Sequence, residues 1–321
     1  MGDAGAVMLA VGNDHACVLL DDGAVHCWGR NNRGQLGLGD IDTVGVDDTP
    51  AAVGPVSVLA PDDDSGSTIE WVGAGDAVSC AILSTGGVRC WGDTSSFDHD
   101  MLPYEYVVAG EGPDIPLHPT DARMAAVGAF ASNLSTCITF DSQRLRCWGT
   151  NTFGVLGYGI DTAMELPAQT PEAGVPVLTP EELDAGVSIV QFERDDNNFL
   201  VLLSTGEVRS WGSDAVGETG HPEDDGTSVR GVDAMPTSAT IEVLAAEESD
   251  TVVGIAAGTA NACVVTDMGR VRCWGAVRQG VVPMEYSEVD SATYHYGDEE
   301  GEVISAAPGF DPFAGVADEG P

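Results

Sequence analysis

Lysine is absent from this chain, and its 12 basic residues are all arginines set against 52 acidic ones. The formal charge is −40. With no clustered basic stripe to neutralise phosphates, direct binding of DNA or RNA is disfavoured. The same sign repels anionic lipid headgroups, and no apolar run approaches the ~18 residues that span a bilayer as a helix, so membrane insertion is not expected. The opening residues, MGDAGAVML, show no basic region followed by a long apolar segment, so no signal peptide is visible. A phosphate-cradling GxxxxGK[ST] loop is impossible without lysine, and GxSxG elbows and HExxH spacings are missing too. Nothing marks nucleophilic or phosphoryl-transfer catalysis, and neither a cofactor nor a metal is expected.

Hydrophobic residues make up 43% of the chain, enough for a substantial core, so the acidity is not that of a disordered tail. The 41 glycines and 17 prolines suit many short strands and turns better than long helices. One phrase recurs five times, near residues 10–29, 73–92, 129–149, 194–212 and 256–275. Its register is set by Trp28, Trp91, Trp148, Trp211 and Trp274, spaced by 63, 57, 63 and 63.

Within each copy an apolar run meets a short turn and then a second β-favouring run, a hairpin signature. Gly23, Gly86, Gly206 and Gly269 end that turn, as a three-residue loop needing positive φ requires, whereas Gln143 takes the position in the third copy. A Gly-rich excursion follows Trp-Gly in the first and third copies, RNNRGQLGLGD and TNTFGVLGYGI, with Leu36 or Leu156 as apolar anchor. Further β-like segments, such as 55–59 and 174–178, bring the count to about four short strands per period. Four antiparallel strands repeated radially make a propeller blade.

The pattern GxxHxCxLxxxGxVxCWGxNxxGQLGxG resembles the regulator of chromosome condensation repeat, in the cysteine-containing form common in bacterial chains. The first copy matches nearly throughout, through Gly12, His15, Cys17, Trp28, Gly29, Asn31, Gly34, Gln35, Leu36, Gly37 and Gly39. The resemblance implies an all-β fold: a β-propeller of about five blades with roughly four strands each, in one domain spanning 1–321. Residues 302–307 read as the first strand of a sixth copy. Either that strand closes a five-bladed ring, or the chain is a fragment of a six- or seven-bladed array; 308–321 read as a flexible tail.

All eight cysteines form pairs with nine intervening residues: Cys17 with Cys27, Cys80 with Cys90, Cys137 with Cys147, and Cys263 with Cys273. Each pair straddles a hairpin turn, where cross-strand partners stand close enough for a disulfide. The fourth copy has Leu200 and Ser210 instead, so both cysteines are absent together. Zinc-ribbon Cys-x-x-Cys spacings are missing, and free cytosolic thiols are the remaining alternative. Disulfides imply an oxidising compartment, extracellular, periplasmic or at the cell surface.

Carboxylate runs at 62–64, 195–196, 223–225 and 298–300 lie between the hairpins and read as solvated loops, with calcium binding as the sharper alternative. His15, His26, His99, His118, His221 and His295 show no catalytic or ligand spacing. The five repeated tryptophans read as blade-to-blade packing. Trp71, Tyr104, Tyr106, Phe130, Phe153, Tyr158, Tyr294 and Tyr296 stand outside that series and are candidates to anchor a protein partner.

The expectation is a non-enzymatic, monomeric, secreted or surface-associated propeller that binds another protein or a surface polymer through its loops. A field of this sign favours a basic partner. Dense carboxylate without lysine is equally the pattern of adaptation to high salt. The resemblance implies two alternatives: a guanine-nucleotide exchange factor-like regulator of a small GTPase, or an enzyme inhibitor, since a secreted β-lactamase inhibitor has a related propeller.

Overall fold

A computed structural model describes residues 4–59, 66–93, 109–110, 115, 126–131, 135–140, 143–164, 170–171, 173–194, 198–213, 219–221, 229–230, 236, 240–244, 249–258, 261–276 and 295–296. The segments 302–307 and 308–321 lie outside them, as do the four carboxylate runs.

Each repeat copy builds one small antiparallel sheet around three consecutive strands, to which short strands add in the fourth and fifth copies to give five and four. The first copy holds β1 (Ala6–Val11), β2 (His15–Leu20) and β3 (Val25–Gly29), followed by helix α1 (Pro50–Val53). The second holds β4 (Ile69–Ala74), β5 (Val78–Leu83) and β6 (Val88–Gly92), and the third β7 (Ala126–Ala131), β8 (Ser135–Phe140) and β9 (Arg144–Gly149). After helix α2 (Pro180–Asp184) come β10 (Ile189–Arg194), β11 (Asn198–Leu203) and β12 (Val208–Ser213), with short strands β13 (Val229–Arg230) and β14 (Thr240–Ile241). The fifth copy holds β15 (Val252–Gly258), β16 (Asn261–Thr266), β17 (Val271–Ala276) and β18 (His295–Tyr296).

Local chemistry explains the hairpins. In the first copy Leu20 N–H donates to Ala24 O and Gly23 N–H to Leu20 O, closing a three-residue loop whose last residue sits at φ +85. Without a Cβ, glycine enters that region at little cost. The first loop residue then ties down the neighbouring strand: Asp21, Ser84, Ser204 and Asp267 accept the N–H of Gly5, Thr68, Ser188 and Thr251 through their side chains. Each first strand carries a register shift at the same place, between Ala6 and Met8, Ile69 and Trp71, Ala126 and Gly128, Ile189 and Gln191, and Val252 and Gly254.

The expected fourth strand is broken into two short stretches in the first, third and fourth copies, and the second and fifth show one such stretch each among the described residues. One crosses the Trp-Gly end of the third strand: Val44 opposite Gly29, Met164 opposite Gly149, β13 opposite Gly212 and Ser213, β18 opposite Gly275 and Ala276. The other crosses its start, as Val56 N–H to Val25 O, Ile115 N–H to Val88 O, Val175 opposite Leu145, and β14 opposite Val208 and Arg209. Segments 55–59 and 174–178 are therefore not strands along their length. Pro50, Pro55 and Pro176 supply no N–H for a ladder, which suits short contacts better than a continuous strand.

The chain divides into two compact units, Met1–Asn151 with Thr162–Val175, and Thr152–Asp161 with Pro176–Pro321. Inside the first, Cys17, Leu19, Val25 and Cys27 pack on Ala81, Leu83 and Trp91 of the second sheet. That sheet's opposite face, Val78, Cys80, Ile82 and Cys90, packs on Ile138 and Trp148 of the third. The second unit repeats the scheme, with Leu200, Leu202 and Val208 against Ala262, Val264 and Trp274.

Candidate functional site

Disulfides join Cys17 to Cys27, Cys80 to Cys90, Cys137 to Cys147, and Cys263 to Cys273, with Cα separations of 4.0 to 4.1 Å. In each case the two residues are direct cross-strand partners on the second and third strands of one sheet. Cys147 on β9 and Cys273 on β17 are buried, as are Cys27 and Cys90 at the same position of the first two copies. The bridges are therefore interior staples of single hairpins and bring no reactive thiol to a site. In the fourth copy Leu200 and Ser210 face each other in the same register, both buried.

Trp91, Trp148, Trp211 and Trp274 are fully buried, so they pack sheets and form no open ligand cage. Trp28 differs: it is half-buried against the first cluster. The glycine after each tryptophan has positive φ, from +95 to +122. At Gly92 a Cβ would stand 2.4 Å from Ala77 O, so the close approach of strand and preceding turn requires glycine there. Beyond the first copy's Trp-Gly, the Asn31 loop is built around one buried amide. Asn31 Nδ2 donates to Asp40 O at 3.0 Å, and Asn31 Oδ1 accepts Leu36 N–H at 2.9 Å, seating Leu36 in the core. Asn151 plays the first part in the third copy, donating to Thr162 O at 3.1 Å.

A column of basic side chains escaped the sequence reading. His26, Arg89, Arg146, Arg209 and Arg272 hold one repeat position, just before the second cysteine, with the spacing of the tryptophans. Each reaches a carbonyl in a connecting segment: His26 Nδ1 to Pro50 O and Arg146 to Pro171 O after their own third strands, and Arg89 to Val58 O, Arg209 to Val177 O and Arg272 to Val243 O after the third strand of the copy before. Side-chain donors thus satisfy carbonyls of connecting segments outside the sheet ladders. The planar five-donor guanidinium suits this bridging better than an ammonium, consistent with the all-arginine composition. The signal was available as the recurrent Val-Arg before Cys or Ser.

Arg209 is the most elaborate member. It forms a fork with Glu182, Nη2 to Oε1 at 2.5 Å and Nη1 to Oε2 at 3.2 Å, and a second contact with Glu207 at 3.1 Å. Glu182 is also the far half of a capping box with Thr179 on α2. Partial burial pushes its carboxyl up, but the Arg209 bond and the Thr179 amide prevail and hold it below the usual range. Burial instead raises Glu193, against a hydrogen bond from Gln191. Gln191 also bridges to Ile255, accepting its N–H and donating to its carbonyl.

His15 is buried with Nε2 2.8 Å from Ser79 Oγ, and burial lowers its pKa to about 4 against the opposing pull of Asp76 and Asp14. His221 Nε2 lies 3.1 Å from Ser210 O. His99 and His118 are outside the described residues. Among the described residues no cluster of three His, Cys, Asp or Glu could hold a metal. No described helix is long and apolar enough to cross a membrane.

Two aromatic candidates are removed from the surface. Tyr158 is buried, and Trp71 packs partly buried against the second cluster. Tyr104, Tyr106 and Tyr294 lie outside the described residues. Phe153 is exposed and holds φ +62, the one described non-glycine residue in that region. Among the described residues the loop 40–48 is exposed, with Asp40, Asp42, Asp47 and Asp48 around Ile41 and Val46, the apolar pair being 61% and 80% exposed.

The regulator of chromosome condensation (RCC1) repeat family model matches residues 9–35. Among curated proteins, the human E3 ubiquitin-protein ligase HERC2 is 23% identical over 276 residues, covering 84% of this chain and 5% of the ligase. The ultraviolet-B receptor UVR8 of Arabidopsis thaliana is 27% identical over 250 residues, 66% of this chain and 54% of the receptor. The mouse RCC1-like G exchanging factor-like protein is 25% identical, over 67% of this chain and 42% of that protein. The chain therefore spans about half or less of the curated relatives it matches. Among solved structures, Prp20p of Saccharomyces cerevisiae superposes with TM-score 0.66 at 19% identity, covering 97% of this chain and 66% of that one. Human WBSCR16 gives 0.58 at 17% identity, over 86% and 63%. The match to the first copy, that copy's recurrence along the chain and the shared fold make this chain similar to the β-propeller proteins built from regulator of chromosome condensation repeats.

Proposed function

We propose that the chain is a non-catalytic protein-binding module that engages a basic protein partner through the loops following its third strands. The 40–48 loop carries the reading: four exposed carboxylates around two exposed aliphatic side chains present charge for steering and apolar area for adhesion. Prp20p, which shares the fold, is described with its binding to Gsp1p and histones. That relative supports a protein partner in general, and the acidity of this chain favours the basic kind. The four disulfides favour an oxidising compartment outside the cytosol.

Purified core histones serve as a basic probe, with binding followed by biolayer interferometry from low to molar salt. The expected result is binding that weakens at least about tenfold between low and physiological salt. Replacing Asp42, Asp47 and Asp48 by Asn and Val46 by Ser should weaken it further without changing the unfolding midpoint. Absence of binding at low salt, or binding indifferent to both salt and the loop, would remove the basis for this reading.

A further inference from the structure

Sheets packed in series in the first unit meet through a small polar knot. Gln35 O accepts the indole N–H of Trp91 at 3.0 Å and the hydroxyl of Ser79 at 2.9 Å, and His15 Nε2 reaches the same hydroxyl. Gly37 permits the approach, since a Cβ there would stand 2.7 Å from Trp91 Nε1. In the fourth copy the carbonyl of Val155 takes the corresponding role, accepting Trp211 Nε1–H at 3.0 Å. A loop carbonyl on the buried indole is thus a repeated device.

In the third sheet the same donors are present but the knot is incomplete. Thr136 and Trp148 are cross-strand partners, as Ser79 and Trp91 are one sheet earlier. The place of His15 is taken by Val78, which offers no polar atom, and the residues after Gly92 lack the Asn-x-x-Gly pattern that delivers Gln35. Both Thr136 and Trp148 are 0% exposed, and neither Thr136 Oγ1 nor Trp148 Nε1 has a hydrogen-bond partner among the described residues. Two buried polar atoms on adjacent strands, at the repeat positions whose counterparts Ser79 and Trp91 share one carbonyl, form a cradle for one acceptor oxygen.

We propose that Trp148 and Thr136 hold a single internal water molecule, its oxygen standing where the Gln35 carbonyl stands in the preceding knot. A water accepts from both groups and meets the minimum of two polar partners that buried waters use. Val78 and Ile138 in the same cluster supply the apolar wall that isolates it from bulk solvent.

Water-to-protein magnetisation transfer in NMR, on the isotope-labelled full chain, reads the site directly. A cross-peak between water and the Trp148 indole proton is expected, and none at Trp91 or Trp211, whose indoles already donate to carbonyls. Trp148→Phe assigns the signal, and Thr136→Val, which keeps the side-chain shape, should abolish or strongly reduce it. Failure of the cross-peak in the folded native chain overturns the proposal. So does a crystal structure with a protein carbonyl within about 2.7–3.2 Å of Trp148 Nε1.

Discussion

Replacing Arg209 by Met tests whether the arginine column supports the fold. Arg209 is 3% exposed, while Glu182 and Glu207 are 21% and 32% exposed. Removing one partner of a buried pair typically costs about 3–5 kcal/mol. Here the two carboxylates can partly rehydrate, but the Val177 carbonyl loses its donor, so about 2–3 kcal/mol is expected. Arg209→Lys keeps the charge and loses the fork, and should cost about half as much. Arg30 provides the control, because its pair with Asp14 is 56% and 53% exposed, and Arg30→Met should stay within about 0.5 kcal/mol. The measurement is urea unfolding, with hydrogen exchange at the Ile241 and Val177 amides as a local readout. Glu182 supplies an internal check on sign. Its folded pKa is depressed, so its contribution is complete above the ordinary carboxylate range and disappears as pH falls through the folded value. Arg209→Met should reduce that acid-limb loss, leaving the part the Thr179 amide supplies. Equal effects of Arg209→Met and Arg30→Met would refute the reasoning.

Other outcomes follow from the same geometry. His15 is buried with a pKa near 4, so the unfolded chain takes up a proton first as pH falls below about 6.5. Stability should decline between about pH 6.5 and 4 by up to roughly 3 kcal/mol, and His15→Asn should flatten that limb in pH-dependent unfolding. The fourth copy already carries Leu and Ser at the cystine position, so Cys80→Leu with Cys90→Ser should cost less than Cys80→Ala with Cys90→Ala. The alanine pair should lose about 2–3 kcal/mol by thermal unfolding, and equal losses would deny that the hairpin tolerates the natural substitute. Phe153→Gly should raise stability by about 1 kcal/mol by relieving its positive φ, with loss of histone binding as the mark of a contact role.

Much of the fold could be read from spacing alone. The tryptophan period located five hairpins, Gly23, Gly86, Gly206 and Gly269 located their turns, and the paired cysteines, down to Cys147 opposite Cys137 and Cys273 opposite Cys263, located the cross-strand register. These are local signals, set by turn geometry and by side-chain alternation on two adjacent strands. The fourth strand was misread because Pro55–Leu59 and Gly174–Leu178 look β-favouring, and nothing local reveals that only one residue of each meets the neighbouring strand. Nothing in the sequence singles out the loop at 40–48, because the exposure of Ile41 and Val46 follows from Leu36 and Val44 taking the core positions.

The sequence by itself determined the all-β repeat class, the hairpin register and the cysteine partners, since each depends on composition or on residues within one hairpin. Tertiary structure alone decided that arginines tie the connecting segments to the sheets, that His15 and Ser79 join across sheets, and that Trp148 and Thr136 stand without an acceptor among the described residues. Those arrangements depend on groups about 20 to 60 residues apart whose distances are set only when one sheet packs on the next, a packing that apolar faces drive without specifying which polar atoms will meet.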